Sequence, residues 1–346
     1  MKAMIAMSGG VDSSVTTFLM KERGFDCIGA TMKLFPNGDI SDDARGVADK
    51  LVIPHHILDF TDEFDAAVVQ KFVEAYESGD TPNPCTDCNR HIKFGKLLST
   101  AIELGCDFMA TGHYARAEWD SEKNRFSLKK AMDNAKDQSY FLYSITQEQL
   151  ARVIFPLGGM NKKDVRDMAA AQGFLNAQKR ESQDICFIPN GDYAEFIERY
   201  TKKSQTPGDF IDFEGKPLGK HKGLIRYTTG QRKGLGVAHS HPLYVCDKNI
   251  KDNTVTLGDE KMLYSTTVEA GSFNWIHPMP VCPIRVMAKT RYRQAEQWAT
   301  VVLAEDNFVQ IEFDEPQRAV ATGQALVLYD GDEIVGGGTI KYTNRR

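Results

Sequence analysis

Two stretches of the chain bring together residue types that do chemistry. The first is Ser8-Gly9-Gly10-Val11-Asp12-Ser13-Ser14, which follows the short apolar run 3–7 and leads into a helical pattern over 13–23. Two glycines let a backbone approach a ligand closely. Successive N–H groups at the start of a helix then face an anion. Ser8, Ser13 and Ser14 add hydroxyl donors. A Gly-Gly pair alone marks an ordinary strand-to-helix turn. The whole string in that position predicts a phosphate site, although it lacks the Gly-Lys-Ser/Thr ending of a Walker loop.

The second stretch is Thr81-Pro82-Asn83-Pro84-Cys85-Thr86-Asp87-Cys88-Asn89-Arg90-His91-Ile92-Lys93-Phe94. Pro82 and Pro84 stiffen the approach to the first cysteine. A helix predicted to open near His91, with Arg90 and Lys93 close by, is expected to lower the thiol pKa and favour thiolate. A third cysteine, Cys186, lies in Gln183-Asp184-Ile185-Cys186-Phe187-Ile188. Read alone, the C-x-x-C pair favours a tetrahedral zinc site built from Cys85, Cys88, His91 and Cys186. Beside a phosphate loop, sulfur chemistry is the better reading. Cys27 and Cys106 read as buried small hydrophobes. Cys246 and Cys282 belong to no motif and are expected only to pack. His55 and His56 open a strand and read as structural. His113 differs: it sits in a glycine-hinged loop at a strand end, where doubly wound sheets bind ligands.

These residues need a frame. Runs 3–7, 27–34, 55–60 and 107–111 read as strands. Helices are predicted over 13–23, 42–51 and 93–104, and a long one capped by Thr61 carries Phe64, Val68, Phe72 and Tyr76 on one face. Strands alternating with helices predict an α/β fold with a doubly wound parallel sheet. Lys202-Lys203-Ser204-Gln205-Thr206-Pro207-Gly208 reads as a linker. Gly-rich turns follow, and strand signals dominate from about residue 266, the pattern of a small β-barrel. The expected divisions are 1–200 for the catalytic domain, 201–264 for a small central domain and 265–346 for a C-terminal β-barrel.

Of the 346 residues, 42% are hydrophobic and 26% charged, which excludes a disordered chain. No apolar run approaches the ~18 residues of a membrane helix. The N-terminus has no secretory pattern, and the seven cysteines are odd in number, so a reducing, cytoplasmic setting is expected. The net charge of −5 argues against a nucleic-acid partner only until its distribution is read. Residues 36–83 hold eleven acids and three bases, whereas 201–233 hold eight bases and three acids. Arg285, Lys289, Arg291 and Arg293 add a second basic stretch, and Lys162, Lys163 and Arg166 a third. Interleaved with Tyr227, Tyr292 and Gly-rich turns, these stretches are expected to contact RNA.

The string SGGVDSS at 8–14 resembles the PP-loop of the ATP pyrophosphatases, also called adenine nucleotide alpha hydrolase-like proteins. With TPNPCTDCNRHIKFG at 81–95, ATGHYAR at 110–116, KDQSY at 136–140, QDICFI at 183–188, YTTGQRKGLG at 227–236, TRYR at 290–293 and PQRAV at 316–320, the chain is similar along its whole length to the tRNA-specific 2-thiouridylases. The resemblance implies that ATP adenylates the 2-oxygen of a flipped-out wobble uridine in tRNA, and that sulfur then replaces that oxygen. It places ATP on Ala6, Met7, Ser8, Gly9, Gly10, Val11, Asp12, Ser13, Met32 and Gly112, with Asp12 helping to hold Mg²⁺ and pyrophosphate. It makes Cys186 the persulfide carrier and Cys88 its partner, and puts Asn83, Pro84 and Cys85 against the target base. His113, Lys136, Asp137, Gln138, Arg291, Tyr292 and Gln324 fall on tRNA-contacting positions. The implied substrates are lysine, glutamate and glutamine tRNAs, and the implied sulfur donor is a cysteine desulfurase, acting directly or through relay proteins.

One position departs from the pattern: many family members carry Asp where this chain has Cys85. Two mechanisms then compete. In one, a Cys186 persulfide attacks the adenylated carbon and Cys88 releases the sulfur by forming a disulfide; Cys85 is then a spare thiol or a rival resolving partner. In the other, Cys85, Cys88 and Cys186 hold three irons of a 4Fe-4S cluster whose fourth iron binds hydrosulfide. Three thiols tilt the expectation towards the cluster. The other classes of reading are a PP-loop amidotransferase, for which no glutaminase nucleophile motif is evident, and a non-catalytic RNA- or zinc-binding module, which leaves SGGVDSS unexplained.

Overall fold

Short apolar strands, too hydrophobic to leave either face in water, build the centre of the N-terminal half. The computed structural model describes residues 1–36, 42–177, 179 and 185–344. Its first sheet has five parallel strands in the order His55–Asp59, Asp26–Lys33, Lys2–Ala6, Phe108–Ala110 and Val153–Ile154. The fifth strand has only two residues and left no readable pattern in the sequence. Ala3, Met4 and Ile5 at the sheet's centre are fully buried. Strand order reverses direction between Lys2–Ala6 and Phe108–Ala110, and such a switch point opens a crevice at the strands' carboxyl ends.

The helix Val11–Glu22 follows the first strand directly. The predicted long helix is present as one run, Thr61–Phe64, Asp65–Val69 and Gln70–Glu77, whose middle segment is wound wider than an α-helix. Phe64, Val68, Phe72 and Tyr76 all enter the main core, as their spacing predicts. Thr61 is not the cap. Phe60 holds that position, and the Thr61 hydroxyl donates to the Asp59 carboxylate at 2.7 Å. The helix expected from residue 93 begins earlier, at Pro84, and runs through Pro84–Asp87, Cys88–Leu97 and Leu98–Glu103. Proline suits that first turn because its missing N–H has no helical partner to lose. Both C-x-x-C residues are therefore inside the helix, not ahead of it.

A four-stranded sheet, ordered Tyr244–Asn249, Thr254–Gly258, Gly208–Ile211 and Pro217–His221, forms the central unit around Phe210, Tyr227, Val245, Val255 and Leu257. Tyr227, expected at an RNA surface, is buried there. Its ring packs edge-on against Phe210 at 5.1 Å, because burying an aromatic outweighs leaving it in solvent.

The C-terminal third closes into a six-stranded antiparallel barrel: Tyr264–Trp275, Phe308–Arg318, Gln297–Glu305, Ile284–Lys289, Ala325–Asp330 and Glu333–Thr343, the last pairing back onto the first. One feature had no counterpart in the sequence reading. The hairpin Ala115–Asp120 and Arg125–Lys130 leaves the first sheet and joins the barrel's, where Lys129 pairs with Glu333. Charged side chains stitch it down: Lys123 and Arg125 meet Glu333 at 3.0 and 3.2 Å, and Lys130 meets Glu296 at 2.7 Å. Among the described residues, no helix is long and apolar enough to cross a membrane.

Candidate functional site

The phosphate loop is shaped by its own side chains. Gly9 has φ +73°, a conformation costly for any residue with a Cβ. Gly10 is extended and caps the helix Val11–Glu22. The hydroxyls of Ser13 and Ser14 both donate to the Gly10 carbonyl, at 2.9 and 3.0 Å. Each hydroxyl has a single proton, so these two serines fold the loop instead of adding ligand donors. Asn176, buried and far along the chain, donates to the Gly9 carbonyl at 3.0 Å and to Ser14 Oγ at 2.9 Å.

Across the switch point, Gly112 follows the strand Phe108–Ala110. A Cβ on Gly112 would sit 3.0 Å from Asp12 C and Cβ and 3.1 Å from Ser13 N, so only glycine lets this strand end approach the first turn of the helix Val11–Glu22 so closely. Between them opens a cleft of about 370 Å³ lined by Ala6, Met7, Ser8, Asp12, Ser13, Met32, Lys93, Gly112, His113 and Gln138. The side chain of Val11, which the resemblance placed at the nucleotide, turns into the core, so only its backbone is left to face the cleft.

Asp12 is held at the cleft wall. Lys162 donates to its two oxygens at 2.7 and 2.8 Å, and Tyr114 Oη donates at 2.8 Å. Lys162 is itself buried, with its ammonium over the Tyr114 ring at 5.5 Å. The Lys162-Lys163-Arg166 stretch was expected to face RNA. Lys162 instead turns inward because a half-buried carboxylate needs a charged partner. Neither Lys162 nor Asn176 announces this in the sequence, since each lies more than 140 residues from its partner. Magnesium binding commonly uses one or two carboxylates together with substrate phosphates, and Asp12 fits as a single such carboxylate.

His113 lines the same cleft. Its Nδ1 is 2.7 Å from Thr111 Oγ1 and its Nε2 is 3.4 Å from Lys93 Nζ. A lysine ammonium only donates, so Nε2 accepts and Nδ1 carries the proton towards Thr111. Burial and then the Lys93 charge hold this imidazole well below its usual pKa, hence neutral.

The C-x-x-C helix stands beside the cleft, joined to it by Lys93. Cys85 and Cys186 keep surface open to solvent while protein crowds them on their other sides, and Cys88 is half-buried against the main core. The expected lowering of the thiol pKa is overturned. Burial raises Cys85 and Cys88, opposed by Lys93. Cys186 is pushed up to about 12, by burial first and then by repulsion from Cys88 and Cys85. Desolvation wins because protein crowds all three thiols, Cys85 and Cys88 on the first turns of their helix and Cys186 on the turn before Phe187, and this outweighs the Lys93 charge. The same repulsion shows that the three cysteines are electrostatic neighbours. Among the described residues, however, no group of three or more His, Cys, Asp or Glu side chains is gathered as a metal would need. His91 faces Lys71 at 3.0 Å. The donor sets expected for zinc and for a 4Fe-4S cluster are therefore not assembled. Cys27, Cys106 and Cys246 are buried, as expected of packing residues, and Cys282 is partly exposed. Gln183 and Asp184 lie outside the described residues.

The barrel reaches the 81–84 approach to the cysteine-bearing helix and the segment around Asp137. Gln324 Nε2 donates to the Thr81 carbonyl at 2.7 Å, and Thr81 N donates to Thr322 O at 2.8 Å, fixing the approach to Asn83, Pro84 and Cys85. Tyr292 Oη donates to the Asp137 carbonyl at 2.9 Å and packs on Phe141. Arg291 donates to Arg318 O at 2.6 Å. Asp137 is buried, its carboxylate accepting from Ala131 N, Ser139 N and Ser139 Oγ. Gln138 Oε1 accepts from Tyr114 N at 3.0 Å, and Lys136 is partly exposed. Several positions expected at an RNA surface thus bind protein here. Exposed Arg232 and Lys233 remain on the Gly-rich loop of the central unit.

Known families bear on this arrangement. Residues 1–190 match the family model described as the tRNA methyl transferase HUP domain, 194–259 the tRNA methyl transferase PRC-barrel domain, and 265–340 the aminomethyltransferase beta-barrel domain. Among curated proteins, the chain is 46% identical to a tRNA-specific 2-thiouridylase MnmA of Acetivibrio thermocellus, covering 98% of this chain and 99% of that one. It is 44% identical to the protein of that name from Clostridioides difficile, covering 98% of both chains. It is 46% identical to the one from Geotalea uraniireducens, covering 99% of this chain and 95% of that one.

Proposed function

The chain belongs to the tRNA-specific 2-thiouridylase family, and we propose from its site that it is an ATP-dependent tRNA-uridine 2-sulfurtransferase. The observation that carries this reading is the placement of a glycine phosphate loop, at a sheet switch point, in one cleft with Lys93 of the cysteine-bearing helix. ATP is bound with its phosphates against the N–H groups of residues 9–13. The uracil 2-oxygen attacks the α-phosphorus, pyrophosphate leaves, and the oxygen becomes part of a good leaving group. Asp12 would hold Mg²⁺, which would neutralise charge on the phosphates. Lys162 and Tyr114 fix that carboxylate in place.

Sulfur then arrives from Cys186. A persulfide there attacks C2, AMP departs, and Cys88 attacks Cys186 Sγ to free the thiolated base. The persulfide route is favoured over the cluster because the three thiols are neighbours without forming a gathered ligand set. Lys93 favours sulfur anions on this helix and on the neighbouring Cys186, since its charge opposes the effect of burial at all three thiols. The tRNA lies across the basic Gly-rich loop and the barrel, with the wobble base flipped into the cleft. Lysine, glutamate and glutamine tRNAs are the proposed substrates, a cysteine desulfurase or its relay protein the proposed donor, and the cytoplasm the proposed setting. The test is pyrophosphate release from ATP that depends on tRNA. Cys186→Ser retains that release and loses thiolation; thiolated tRNA from this variant would overturn the assignment.

A further inference from the structure

Cys85 lies where the persulfide route leaves a chemical task undone. Each turnover by that route ends with Cys88 and Cys186 joined, and Cys186 cannot accept another sulfur until the bond is broken. Cys88 is the least accessible of the three thiols, half-buried against the core. Cys85 is exposed and stands three residues earlier on the same helix. Helix rise and radius put residues i and i+3 about 5 Å apart at Cα, inside the ~4.4–6.8 Å span of a disulfide. Cys85 also contributes to the repulsion felt by Cys186, so all three sulfurs share one neighbourhood.

We propose that Cys85 is the resolving thiol of the catalytic cycle, which moves the disulfide from the half-buried Cys88–Cys186 pair to an exposed Cys85–Cys88 pair. The inference rests on the persulfide route proposed above. The Cys85 thiolate attacks Cys88 Sγ. The Cys88–Cys186 bond breaks, and Cys186 leaves and is protonated, taking up the equivalent of the proton given up by Cys85. Cys186 is then free to take the next sulfane sulfur. A dithiol reductant attacks Cys85 Sγ from solvent, releases Cys88, and closes its own disulfide, so two electrons and two protons pass from the reductant to the Cys85–Cys88 pair. A carboxylate at position 85 is unable to perform this exchange, which gives the third thiol of this chain a use of its own.

Trypsin separates the possibilities cleanly. Cleavage after Lys71 and Arg90 leaves Cys85 and Cys88 in one peptide, and cleavage after Arg180 and Arg199 leaves Cys186 in another. Full-length protein charged with persulfide is given ATP and a tRNA transcript without reductant, then acid-quenched, alkylated, digested and weighed. The expected result is peptide 72–90 unalkylated and lighter by two hydrogens, with peptide 181–199 alkylated, in proportion to the 2-thiouridine formed. In Cys85→Ser the two peptides are instead joined. Wild-type protein with the peptides joined and Cys85 alkylated would overturn the resolving role alone. Thiouridine formed with no disulfide anywhere would overturn that role and the persulfide route, and leave the thiolation activity standing. Absence of both pyrophosphate and thiouridine would overturn the functional reading as well.

Discussion

Replacing Gly112 with alanine tests how tightly the cleft is built. The added Cβ would lie 3.0 Å from Asp12 C and Cβ and 3.1 Å from Ser13 N, about 0.3–0.4 Å inside ordinary contact. These are backbone atoms and a first side-chain carbon, so no rotamer change relieves them. Overpacking of this kind costs about 1–3 kcal/mol. The unliganded variant should relieve the strain by shifting the loop and first helical turn away from the strand end. ATP requires the loop in place, so the cost returns on binding as a loss of affinity of about 5- to 150-fold. Isothermal titration with a non-hydrolysable ATP analogue measures it. Gly46→Ala is the matched control. It lies in the helix Asp42–Lys50 with nothing within 4 Å of the new Cβ, and it should stabilise the protein by about 0.5–1 kcal/mol without altering nucleotide affinity. Wild-type affinity in Gly112→Ala, or an equal loss in Gly46→Ala, would refute the steric argument.

Other outcomes follow from the same geometry. Asn176→Ala removes both bonds to the phosphate loop and should cost about 1–3 kcal/mol, read as a lower unfolding midpoint in urea and weaker ATP binding. His113 is neutral because its folded pKa lies below the unfolded value near 6.5. Its contribution to stability is therefore complete above that value and is lost as pH falls through 6.5 towards the folded pKa, at up to about 1.4 kcal/mol per pH unit. Urea midpoints at pH 7.5 and 5.5 should differ, and His113→Gln should reduce the difference. With Cys186 pushed up to about 12, its rate of alkylation should keep rising with pH through 9.5; a plateau near neutrality would show a lowered pKa instead.

The sequence carried the local chemistry well and the distant chemistry poorly. The phosphate loop, its helix, the parallel sheet and the barrel were legible because glycine turns, two-sided apolar runs and strand alternation are local signals. Position 162 read as surface charge because its partner is 150 residues away. The hairpin Ala115–Asp120 and Arg125–Lys130 was missed because its pairing partner is a barrel strand from the far end of the chain. The thiol pKa values were misjudged because helix dipole and neighbouring charge are visible in the sequence and desolvation is not. Gln324 and Tyr292 likewise read as exposed contacts until the fold brought residues 81 and 137 to them.

The most direct test is nucleoside analysis of a tRNA transcript after incubation with persulfide-charged protein and ATP. The expected result is 2-thiouridine at the wobble position, with one AMP and one pyrophosphate formed for each sulfur delivered. Thiolation that proceeds without ATP, or ATP cleavage with tRNA present that never yields 2-thiouridine, would contradict the account.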